Sequence, residues 1–142
     1  MDPPPTRILI VAHRTAATPR LLDAVRERAT RGPCRFTLLV PRPFWDPDTE
    51  EAAITLELAL PLLGEAAGEP VEGLVGDVDP FVAVRDTLVR SSFDEVIVST
   101  LPTHVSHWLR LDLPARIRRL GVPVTVVTAP RAGHPLDAGS PT

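Results

Sequence analysis

Residues 95–129 read EVIVSTLPTHVSHWLRLDLPARIRRLGVPVTVVTA, and this stretch decides the fold. Two short β-branched runs, EVIVST (95–100) and VPVTVVTA (122–129), bracket a longer connection. Runs of this kind, apolar at consecutive positions, suit strands buried on both faces. A connection of this length is what a parallel crossover needs. Its second half predicts a helix starting at Asp112, with Pro114 in the first turn and Gly121 as the stop. Its first half, STLPTHVSHWLRLDLP (99–114), contains no glycine but two histidines, a tryptophan and an arginine.

Working back from this unit, the same alternation recurs. RILIVA (7–12) reads as a first strand, and Thr18-Pro19 supplies an N-cap and a first helical residue. Leu21, Leu22, Val25 and Ala29 recur at helical spacing until Gly32-Pro33. RFTLLV (35–40) is a second strand. Asp48 and Glu51 form a capping-box-like start to a second helix whose stripe is Ala52, Leu56, Leu60 and Leu63. Pro61 lies inside that stripe and predicts a kink or break about one turn earlier. VEGLVG (71–76) is a third strand, and Asp79-Pro80 opens a helix that buries Phe81, Val84 and Leu88. Five strands alternating with four helices predict an α/β three-layer sandwich, a doubly wound, Rossmann-like parallel sheet spanning residues 7–129. The proline-rich ends, 1–6 and 130–142, read as disordered tails. Such sheets bind ligands beyond the carboxyl ends of their strands, where the winding reverses. Candidate residues therefore follow the first, second and fourth strands.

The composition narrows the chemistry. The chain has 142 residues, no Lys, Asn, Gln or Tyr, and 15 basic residues that are all Arg. Lysine Schiff bases and P-loop lysines are excluded. Cys34 is the single cysteine, which excludes an intrachain disulfide and a cysteine-built zinc site. The net charge of −3 gives no general attraction to nucleic acid or anionic lipid. No apolar run approaches the roughly 18 residues of a membrane span. The first residues show no secretory pattern, so the expected location is cytoplasmic.

The order of elements, with RILIVAHRT (7–15), GDVDPFVAV (76–84) and FDEVIVST (93–100) followed by VPVTVV, resembles the universal stress protein family. The resemblance covers residues 7–129 and implies a sheet order 3-2-1-4-5. Family members that bind ATP carry G-x2-G-x9-G-[S/T] after the fourth strand, with glycine amides close to the phosphates. Here Ser99 and Pro102 stand at the first two glycines, and Arg110-Leu111 near the last pair. His13 stands at the family's acidic position after the first strand. ATP or another adenine nucleotide is thus the implied cofactor class, without the usual ATP loop. The resemblance also implies a homodimer through the strand 122–129, whose uncharged edge invites a second strand.

The expected function is a non-catalytic, stress-response or regulatory protein that binds a small anionic or nucleotide-like ligand as a homodimer. Its site would combine His13, Arg14, Thr15, Val40, Gly76, Ser99, Thr100, Ser106 and Arg110. Arg110 and Arg14 would neutralise an anion, the hydroxyls would orient it, and Val40 would pack a ring face. An alternative is an interaction module without ligand, its loop plugged by Trp108 and Asp112. A third is a metal-assisted hydrolase using His13, His104 and His107. Trp45, beside Phe44, suits a lid or a partner contact. A receiver-type role for Asp77 fails for want of the acidic pair and lysine. No strand-Ser-helix elbow supports a serine hydrolase.

Overall fold

Ile8, Leu9, Ile10, Val11 and Ala12 are all 0% exposed, so this strand is buried on both sides. The computed structural model describes residues 4–43, 50–101 and 106–129. In chain order these form β1 (Thr6–Val11), α1 (Pro19–Thr30), β2 (Cys34–Pro41), α2 (Glu50–Ala67) and β3 (Glu72–Gly76). There follow α3 (Pro80–Arg90), β4 (Glu95–Thr100), α4 (His107–Arg110), α5 (Leu113–Arg118) and β5 (Val124–Thr128). The five strands form one parallel sheet of order β3-β2-β1-β4-β5. The sheet order implied by the resemblance is the order observed.

Alternation along the strands builds two cores. Ile8, Ile10, Phe36, Leu38 and Val40 face Leu21 and Val25 of α1 and Ala52, Ala59 and Leu63 of α2. Leu9, Val11, Leu39, Val96 and Val98 face Ala83 and Val84 of α3 and Leu113 and Ile117 of α5. Helices on both faces follow from right-handed crossovers, and the reversal between β1 and β4 opens a crevice at the carboxyl edge.

The caps form largely as their sequence signals require. Thr18 accepts from the Leu21 amide, and Asp79 accepts from the amides of Phe81 and Val82. Four expectations are corrected. The break foreseen near Pro61 does not occur: α2 is continuous through it, and because that proline is exposed, water can satisfy the backbone acceptor it leaves. Between β4 and β5 lies a four-residue helix, α4, in addition to the four helices foreseen. Asp112 precedes α5 in a left-handed conformation, φ 58°, with no side-chain cap bond. The initiator of the capping box, Asp48, lies outside the described residues, as do residues 1–3 of the first tail and all of 130–142, whereas Thr6, expected in the first tail, belongs to β1.

At the amino end of the sheet, Arg28 donates from Nε and Nη2 to the two carboxylate oxygens of Glu95, at 3.2 and 2.8 Å. That fork holds the Glu95 carboxyl below its ordinary range, with burial opposing. Burial pushes the Cys34 thiol up, so it is a protonated packing residue at neutral pH. Among the described residues no helix is long and apolar enough to cross a membrane.

Candidate functional site

A cavity of about 600 Å³ lies beyond the carboxyl ends of β1, β2 and β4, where the fold rule places it. Its floor is polar and already organised. The hydroxyls of Thr15, in the turn after β1, and Ser99, near the end of β4, meet at 2.6 Å. Both residues are buried, so this bond ties the first turn to the fourth strand. Thr100 Oγ1 donates to the Leu101 carbonyl at 2.9 Å. Ser106 Oγ accepts from the Leu109 amide and so caps α4.

The walls are apolar. Pro41 ends β2 and Pro43 follows it, Val78 precedes α3 and Pro80 opens it, and Trp108 and Leu111 come from the α4 segment. Trp108 also packs on the second core, so it acts as a fixed wall. At about 100° per residue, His107, Trp108 and Leu111 share one side of the helical turn, and Arg110 falls outside it. The rim carries Arg14, Arg42, His107 and Asp79. His13 Nε2 lies 3.3 Å from Glu51 Oε2. Burial lowers the His13 imidazole below its ordinary 6.5, against the upward pull of Glu51 and with a further downward push from Arg14. His13 is therefore predominantly neutral at neutral pH.

Of the expected site residues, His13, Arg14, Thr15, Ser99, Thr100 and Ser106 line this cavity. Val40, Gly76 and Arg110 do not. Val40 is 0% exposed in the core under α1 and α2, because β2 runs one residue further and passes the lining position to Pro41. A side chain at Gly76 would bring its Cβ to 2.6 Å from Ala83 Cβ, so this glycine lets α3 approach the sheet. Arg110, on α4, is exposed and outside the lining. Asp112 is exposed and outside the lining too, so of the two residues foreseen as a plug only Trp108 borders the cavity. His104, Phe44 and Trp45 lie outside the described residues. Among those described, no three His, Cys, Asp or Glu side chains group as a metal site.

Val40-Pro41 at the end of the second strand is a sequence expectation of which Pro41 reaches the lining, whereas sequence reasoning missed Arg42, the prolines at 43 and 80, Val78 and Leu111. The available signal was position: Arg42-Pro43 directly follows the second strand.

The chain closely matches solved structures in its fold. One is a universal stress protein in complex with cAMP, with a TM-score of 0.63 and 15% identity over 88% of this chain and 98% of that one. This is the universal stress protein fold. A universal stress protein from Archaeoglobus fulgidus matches at a TM-score of 0.62 and 18% identity, over 86% of this chain and 93% of its own. One from Arabidopsis thaliana, with AMP bound, matches at 0.55 and 14% identity, over 91% and 94%. No protein-family model matches the sequence, and no curated protein matches it. The universal stress protein fold thus accounts for the sheet order and places the cavity at its switch point.

Proposed function

We propose that this protein is a non-catalytic, small-ligand-binding regulator of the stress-response type, taking an adenine-nucleotide-like ligand in the cavity beyond β1, β2 and β4. The observation that carries this reading is a cavity of about 600 Å³ with a hydroxyl floor and apolar walls at the switch point of the sheet. Solved structures of the same fold that hold cAMP and AMP support the ligand class. His13, Arg14, Thr15, Ser99, Thr100 and Ser106 would form the polar contacts, with Trp108 as a face for a planar ring.

ATP held by a glycine loop is not part of the proposal. The loop after β4 has no glycine, and the amides at the start of α3 are taken by Asp79. The protein would act in the cytoplasm as a homodimer through the strand at 122–129. Support for the dimer is the half-buried, uncharged β5 at the sheet edge.

Mass spectrometry of gently denatured, freshly purified protein tests the reading. A released adenine nucleotide, or a melting temperature raised several degrees by saturating AMP, is the expected result. An empty protein that no adenine nucleotide stabilises would sink it and favour a ligand-free interaction module. Light scattering checks the dimer, and Val126→Arg should give monomers.

A further inference from the structure

We propose that Arg42 is the anion anchor of this cavity and that the cavity selects a nucleoside monophosphate over a polyphosphate. The proposal rests on the nucleotide-type reading above and adds to it the charge of the ligand and the residue that holds it.

Arg42 is held in place before any ligand arrives. Its Nε donates to the Gly76 carbonyl at 3.1 Å, and its backbone amide donates to the same oxygen at 3.2 Å. Pro41 and Pro43, both buried, flank it and fix the backbone on either side. The Nε bond uses one of five guanidinium donors and leaves the two Nη groups for a ligand. No carboxylate of the described residues pairs with Arg42, which nonetheless lines the cavity and is half-buried. A half-buried cation oriented by the Gly76 carbonyl suits a phosphate better than it suits solvent.

The rest of the lining argues for one anionic group. Pro41, Pro43 and Pro80 offer no N–H groups. Asp79 places a carboxylate on the first amides of α3, and its own amide bonds the Asp77 side chain at 2.9 Å. That start of a helix is therefore negative and filled, where a second or third phosphate would need it positive and open. Arg14 is exposed at the rim, which limits its hold on an anion. One placed fork, apolar walls that include the Trp108 ring and an opposing carboxylate describe a site for a planar base with a single phosphate.

Calorimetric titration of the wild type, Arg42→Ala and Arg42→Gln with adenosine, AMP and ATP tests this. Glutamine can still donate to the Gly76 carbonyl, so it keeps the test alive if the alanine variant folds poorly. AMP should bind the wild type and lose about tenfold to hundredfold in both variants. Adenosine should bind all three alike, and ATP should bind the wild type no more tightly than AMP. Equal AMP affinity across the three proteins would overturn the anchor and leave the nucleotide reading standing. ATP binding tenfold more tightly than AMP would overturn the selectivity. A wild type that binds neither adenosine nor AMP would remove the nucleotide reading and this proposal with it.

Discussion

The two ends of this parallel sheet have been put to different use. At the amino end, the fold spends its charges on itself. Arg28 grips Glu95 in a fork, the Arg7 amide bonds Asp94 at 2.8 Å, and the Arg7 guanidinium lies 4.9 Å above the Phe93 ring. These contacts close the end where helices α1 and α3 run into β2 and β4. At the carboxyl end, the chain instead places hydroxyls, prolines and a tryptophan around a cavity. Paired, half-buried charges at one end stabilise the sheet, while the other end sets a fixed guanidinium in the lining of a cavity.

The sharpest way to break this division is to cut the fork. Arg28→Ala leaves the Glu95 carboxylate without both bonds and should cost about 1.5–3 kcal/mol in urea unfolding. AMP affinity should not change. A loss of binding of tenfold or more would show that the two ends are not independent.

At the other end, Thr15→Val removes one of two buried hydroxyls and leaves Ser99 Oγ with only its 3.5 Å contact to the Thr15 carbonyl. This should cost about 1–2 kcal/mol of stability and also weaken ligand binding, since the floor is part of the site. Stability lost with binding intact would mean the pair is structural alone.

Acidification separates the ends by pH. Glu95 has a folded value below its ordinary 4.5, chiefly through the Arg28 hydrogen bond. Its contribution is complete above 4.5 and disappears as pH falls through the folded value. Glu95→Gln should therefore flatten the acid limb of a pH–stability curve. His13 is also lowered, from 6.5, chiefly by burial. Its neutral form favours the fold, so this contribution is complete above 6.5 and is lost as pH falls through the lower folded value. His13→Gln should remove that milder slope, and a slope that persists would place its origin elsewhere.

The smallest effect belongs to Arg110→Ala. This exposed residue lies outside the lining, so stability should change by less than about 0.5 kcal/mol and AMP affinity by less than about twofold. A large loss of binding would restore it as an anion contact.

The fold was legible because buried parallel strands advertise themselves. EVIVST matches β4 at Glu95–Thr100, and Thr18-Pro19 and Asp79-Pro80 mark where α1 and α3 begin. The site was legible where a residue follows directly from a strand, as Thr15 and Ser99 do. It was not legible where a shift of one residue or a single helical turn decides. Val40 and Pro41 differ by one step of strand register, yet one lies in the core and the other in the lining. The four residues of α4 are too few to show a periodicity, so nothing in the sequence could rank Leu111 above Arg110. Asp112 reads as an N-cap by type, but its left-handed backbone withholds the side chain from that bond.

A nucleotide-type cavity at only one end of the sheet can be localised residue by residue with nuclear magnetic resonance. Titrating AMP into uniformly ¹⁵N-labelled protein should shift the amides of Thr15, Arg42, Ser99 and Thr100 and the indole of Trp108. The amides of Arg7, Arg28 and Glu95 should stay in place. Shifts centred on the amino end, or none at saturating AMP, would contradict the account.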